Sequence, residues 1–208
     1  MSESDRYREP AKEAEAELRE KRSIFIGRVL RASDESGARE VVRAVSRKHS
    51  DATHNCWAYR VGFPQTVEYY SDDGEPSGTA GKPILGAILR TGLVNVVTVV
   101  TRYYGGTKLG VRGLIDAYGK TASMALEAAG SRDRVLSRDV LLECPYEYAQ
   151  IITRQLAELG VPEEDITHDW GERVTLRISV PLSLAKDAEA LFEGYSERTF
   201  ITEWNWEN

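Results

Sequence analysis

An α+β fold in two units is what this sequence predicts, and three observations carry the prediction. Leu93 to Val100 is an almost unbroken, β-branched run, the pattern of a strand buried on both faces. Val174, Leu176, Ile178 and Val180 instead alternate with Thr175, Arg177 and Ser179, so that strand buries one face only. Between the two regions, residues 131–137 mix charge with little periodicity, which places a boundary there. The chain, 208 residues long, is large enough for two small cores. The expected organisation is an acidic N-terminal segment over residues 1–20, a mixed domain over 21–134 and a second domain over 138–208.

Each element follows from local chemistry. Ile24 to Leu30 reads as a strand, and Ser33 can cap a helix from about Asp34 to His49 with Val41, Val42 and Val45 on one face. Strands follow at Cys56 to Gly62 and Val67 to Ser71. Thr79 can cap the next helix, which holds Ile84, Leu85, Ile88 and Leu89 inward and ends at Gly92. The Leu93–Val100 strand and a helix from about Gly110 to Ala129 complete this domain. In the second, Val140 to Cys144 is a strand, and Tyr148, Ile151, Ile152, Leu156 and Leu159 keep helical spacing up to Gly160. A strand from about Ile166 turns at Asp169-Trp170-Gly171-Glu172 into the Val174 strand. Pro181 suits the first turn of a helix holding Leu184, Ala188, Leu191 and Phe192, with Gly194 as its stop. Thr199 to Trp204 closes a βαββαβ order, that of a ferredoxin-like split βαβ sandwich.

Composition narrows the function classes. Net charge is −6 overall, but residues 21–130 carry 15 Lys+Arg against 10 Asp+Glu, while residues 131–208 carry 8 against 16. A basic first domain is compatible with RNA or ribosome contact, and the acidic second half argues against nucleic acid there. Cys56 and Cys144 lie in apolar, strand-like runs, so reduced core thiols and a cytoplasmic location are expected. Residues 1–20 hold seven acidic and four basic residues and no apolar core, so neither a signal nor a transit peptide is expected there. No run approaches the ~20 apolar residues of a membrane span.

Two runs have an order that no helix face or strand requires. Tyr70-Ser71-Asp72-Asp73-Gly74-Glu75-Pro76-Ser77-Gly78-Thr79-Ala80-Gly81-Lys82-Pro83 gathers three carboxylates and three glycines; Thr101-Arg102-Tyr103-Tyr104-Gly105-Gly106-Thr107-Lys108-Leu109-Gly110 has the same character with the opposite sign. Ten of the seventeen glycines fall between Gly74 and Gly119, which points to a surface built from turns. These runs, with His49-Ser50-Asp51-Ala52-Thr53-His54-Asn55-Cys56-Trp57-Ala58-Tyr59 before them and Gly113-Leu114 and Ala117-Tyr118 after, resemble the Impact/YigZ family over roughly residues 21–130. Ser50 stands where that family usually has Pro, and Arg112 where it usually has a second Gly. The resemblance implies a first domain similar to the second domain of ribosomal protein S-five, a bacterial-type ferredoxin-like second domain and a cytosolic role in translation regulation. Eukaryotic relatives carry an extra N-terminal domain and compete for an activator of a stress-responsive initiation-factor kinase; the bacterial partner is not implied.

Three chemistries compete for these motifs. Asp72, Asp73 and Glu75 with His49 and His54 could form a hard-metal or acid–base site, against the reading that the carboxylates brace a turn and cap a helix. Gly78, Thr79, Gly81 and Lys82 open a helix that could hold an anion, without being a P-loop, since Pro76 and Pro83 occupy required positions. Lys82, Arg102, Lys108 and Arg112 would supply cations if the two loops meet around Gly105 and Gly106. Finally, Trp57, Tyr59, Tyr69, Tyr70, Tyr103 and Tyr104 could anchor a docking face for RNA, ribosome or protein. No nucleophile sits in a Gly-x-Ser-x-Gly elbow, and His168, beside Asp169, reads as a surface residue. The preferred reading is a non-catalytic binding protein with no cofactor and no metal ligands. The alternative is a metal-assisted hydrolase of a phosphorylated or nucleotide-like substrate, using Asp72, Asp73, Glu75 and His54.

Overall fold

The computed structural model describes residues 5–207. The chain forms two compact units: one is Tyr7–Arg134, the other Val135 onward together with the segment ending at Arg6. Helices and strands are mixed in each, which makes the protein α+β.

In the first unit a five-stranded antiparallel sheet runs β2(Ala14–Glu20), β3(Ser23–Arg31), β6(Val96–Tyr103), β4(His54–Val61), β5(Val67–Ser71). The apolar run identified in the sequence is the central strand. Its alternate residues serve two cores: Val96 and Val100 lie with Phe25, Val29, Cys56 and Ala58 under α2(Gly81–Thr91) and α3(Gly110–Ala129), whereas Val97 and Val99 lie with Tyr59 and Val61 under α1(Glu35–Lys48). A strand packed on both faces needs no polar alternation, which is why the run is continuous. It begins at Val96 rather than Leu93, because Asn95 takes a positive φ of 56° before it.

Several local expectations are corrected. Asp34, not Ser33, caps α1: its Oδ1 accepts from the Gly37 amide at 2.8 Å. Thr79 does not cap α2, because its hydroxyl donates to the Pro76 carbonyl at 2.6 Å. The N-terminal stretch marked as acidic by its charge holds β1(Arg6–Pro10) and the edge strand β2; its Met1 to Ser4 lie outside the described residues. In β2, Ala14, Ala16 and Leu18 pack against the core while Glu15, Glu17 and Arg19 alternate with them, a period the high charge obscures. β1 pairs with β7(Ser131–Val135), so the aperiodic stretch 131–137 is largely strand.

The second unit has sheet order β11(Glu203–Trp206), β8(Ser137–Cys144), β10(Val174–Pro181), β9(Ile166–Trp170), all antiparallel. With α4(Tyr146–Leu159) and α5(Ala185–Glu197), this is the split βαβ order. Val174, Leu176, Ile178 and Val180 are fully buried against Ile152, Leu156, Ala188 and Phe192. Pro181 ends β10 instead of starting α5, and Gly194 lies inside α5 rather than stopping it. The last strand starts at Glu203, after Ile201 has entered the core.

Candidate functional site

The acidic motif folds into a loop held from within. After β5, the Asp72 carboxylate accepts three backbone amides: Gly78 at 2.8 Å, Ala80 at 3.0 Å and Gly81 at 2.8 Å. The first amides of α2 are therefore already met by a carboxylate, the favourable charge for a helix N-terminus. Gly81 is required by space, since a Cβ there would lie 2.7 Å from the Ser71 carbonyl oxygen. Asp73 Oδ2 accepts from the Asn55 amide at 2.6 Å, and its carbonyl lies 2.6 Å from His54 Nδ1, which places a proton on that nitrogen.

Glu75 points inward. Its carboxylate, in a residue only 9% exposed, accepts from Arg102 Nη1 at 2.5 Å and the Tyr118 hydroxyl at 2.8 Å, with His54 Nε2 at 4.0 Å from the same oxygen. Arg102, 5% exposed, also lies over Phe25 and reaches toward Ser23. Cys56 donates to the Asp72 carbonyl at 3.0 Å. Burial pushes both the Cys56 thiol and the Tyr118 hydroxyl well up from their ordinary values, so neither serves as a nucleophile or base near neutral pH. Each carboxylate that the sequence offers to a metal is bonded to protein donors. Among the described residues, no group of three or more His, Cys, Asp or Glu is placed to hold a metal ion.

The basic motif is bonded inward in its first half and exposed in its second. Arg102 is correctly part of the cluster with Glu75, and so is not a cation open to phosphate. Tyr103 bonds through its hydroxyl to His49 Nδ1 (2.9 Å) and Asp51 (3.2 Å). Gly105 donates its amide to Ser23 Oγ at 3.2 Å, and a Cβ there would overlap the Arg22 carbonyl. Beyond it Gly106, Lys108, Gly110 and Arg112 are exposed. The N-terminus of α3 follows Leu109 with no side-chain cap. Lys82 is exposed on the first turn of α2. Its neighbour Pro83 meets Gly119, which lies roughly 10 Å along α3 from Arg112. Three of the four expected cations are thus exposed, Lys82 on α2, Lys108 in the loop before α3 and Arg112 on its first turn, and the fourth is internal.

The aromatic residues divide as well. Trp57, Tyr59 and Tyr69 stack on the α1 side of the sheet with centroids 5.5–6.2 Å apart. Tyr59 is buried and donates to Glu35, Trp57 is half-buried, and Tyr69 is exposed with the Arg39 guanidinium 6.0 Å from its ring. Tyr70 and Tyr104 are exposed. Sequence reasoning gave no role to Tyr118 or Ser23. The available signal was a polar group on an inward helical position and another at the start of an apolar strand.

Residues 21–126 match the family described as the Impact N-terminal domain. Over 144 residues, the chain is 42% identical to IMPACT family member YvyE of Bacillus subtilis (strain 168), covering 69% of this chain and 66% of that protein. It is 33% identical over 178 residues to IMPACT family member YigZ of Escherichia coli (strain K12), covering 85% and 86% respectively. It is also similar to the crystal structure of a hypothetical protein, with 30% identity, a TM-score of 0.67, and coverage of 95% of this chain and 96% of the other. No described helix is long and apolar enough to cross a membrane. With the family domain matched over about half its length and a relative over most of it, the chain belongs to the IMPACT family.

Proposed function

We propose that this protein is a non-catalytic, cytoplasmic binding protein that acts in the regulation of translation, contacting RNA, free or on the ribosome, through its first unit. The observation that carries the reading is how the unit distributes its charge. Asp72, Asp73 and Glu75 are consumed by Gly78, Ala80, Gly81, Asn55, Arg102 and Tyr118. Lys108 and Arg112 remain exposed beside an uncapped helix N-terminus, whose amides favour phosphate, and Lys82 is exposed on the neighbouring α2. The local excess of basic residues supports the same polarity. The hydrolase alternative draws no support from carboxylates already bonded to protein donors.

The test is binding of fluorescent RNA oligonucleotides of several sequences across a salt series. Lys108→Ala with Arg112→Ala should weaken binding to all of them alike and flatten the salt dependence by roughly 0.7–0.9 log units per lost phosphate contact. No detectable wild-type affinity at low salt refutes RNA contact. Dominance by Tyr69 or Tyr104, with little effect of salt, would mark a protein partner instead.

A further inference from the structure

The second unit carries a feature that RNA contact by the first does not use. β9 is an edge strand, hydrogen-bonded to β10 on one side only. Its outer N–H and C=O groups are a template for another strand, and it carries neither of the residues, Lys or Pro, that commonly guard such edges. At its end Trp170 is 54% exposed, and Tyr146, at the start of α4, 52%. The two exposed rings adjoin, so they form one patch rather than two scattered side chains.

These rings are held in place. Tyr146 lies 5.6 Å from Trp170 and donates its hydroxyl to the Gly171 carbonyl at 2.5 Å. His168 stacks on Trp170 at 5.5 Å, nearly parallel, with Nε2 3.0 Å from the Thr153 hydroxyl. A fixed, exposed indole face attracts guanidinium and ammonium groups.

The charge around the strand matches. Residues 163–172 contain Glu163, Glu164, Asp165, Asp169 and Glu172 and no Lys or Arg. Among the described residues, none of these five enters an ion pair. Burial, then the neighbouring Glu164 and Asp139, raise the carboxyl of Asp165 above its ordinary value, as expected where carboxylates lack countercharge. In the register with β10, His168 and Trp170 share the face of Leu176 and Val174, while Thr167 and Asp169 lie on the opposite face. A strand added beside β9 would place alternate side chains against the aromatic stack and against Asp169.

We propose that β9 docks an extended, arginine- and lysine-rich segment of a protein partner, which joins the sheet as a fifth strand, with its cations on the Trp170–Tyr146 rings and opposite Asp169. Main-chain pairing supplies affinity in this mode, and the alternating side chains supply specificity.

The experiment titrates the full-length, isotope-labelled protein with a short Val-rich peptide carrying two adjacent arginines at its centre, so that the added strand presents one guanidinium on each face. Two control peptides are the same sequence N-methylated at every residue, which keeps its charge but leaves no N–H for strand pairing on either edge, and the Glu counterpart. The parent peptide should perturb the amides of residues 166–170 and the Trp170 indole. Trp170→Ala should weaken it about tenfold, Asp169→Asn should weaken it less, and both controls should fail. Equal binding by the N-methylated peptide, perturbations centred elsewhere, or no binding at low salt overturns the proposal. Trp170 is exposed and Asp169→Asn is isosteric, so at least one variant reports on a folded protein.

Discussion

The two glycine motifs look alike as strings, each a run of glycines and charges ending where a helix begins, yet the fold turns one inward and the other outward. Asp72 takes the place an anion could have at the start of α2, by accepting its amides. At the start of α3 no side chain does the same, and Lys108 and Arg112 face water. The difference teaches that a glycine-rich helix entrance is a binding surface only when the chain does not fill it first. Whether it is filled depends on a carboxylate nine residues upstream, not on the glycines.

The largest effect should come from the inward motif. Glu75→Gln leaves the Arg102 charge buried without its counterion, which should cost about 3–5 kcal/mol in urea unfolding. A loss below about 1 kcal/mol would show that Arg102 does not depend on Glu75 and would break the comparison. Asp72→Ala releases three amides at once and should cost about 2–4 kcal/mol, less than the sum of three bonds because water reaches some of them. By contrast, Lys108→Ala with Arg112→Ala should shift stability by no more than about 0.5 kcal/mol. Their expected effect is on RNA affinity.

Glu9 offers a smaller and independent check on inward acids. Burial alone would raise its carboxyl, but Arg132 and Arg134, bonded to it at 2.5–3.1 Å, outweigh burial and hold it below the ordinary 4.5. A depressed carboxylate stabilises the fold above its unfolded pKa and loses that contribution as pH falls through the folded value. Melts of Glu9→Gln should therefore show a flatter acid limb below about pH 4.5, worth on the order of 1 kcal/mol. An unchanged limb would assign the acid sensitivity elsewhere.

Much of the architecture was legible because it is local. The β-branched run announced the central strand β6, the helix expected from about Gly110 to Ala129 is α3, and strict alternation identified β10. The errors were local as well, where neighbouring residues compete for one job: Ser33 with Asp34 as a cap, or Pro181 at the end of a strand and before a helix. β1 and β2 were missed because charged residues dominate both, and a strand at a sheet edge buries too little to show a strong period.

By itself, then, the sequence determined the α+β class, the family and the two polarities of charge, since each is written in residues close together or in plain composition. It could not determine which charged groups face water. Glu75 meets Arg102 and Tyr118 across 27 and 43 residues, and His54 meets Asp73 across 19. Only the pairing of β4 with β5 and β6, and the packing of α3 on that sheet, bring those partners together. A buried charge is tolerated only where such partners converge, so the tertiary structure alone decided that the acidic motif is a brace while Lys108 and Arg112 of the basic one stay exposed.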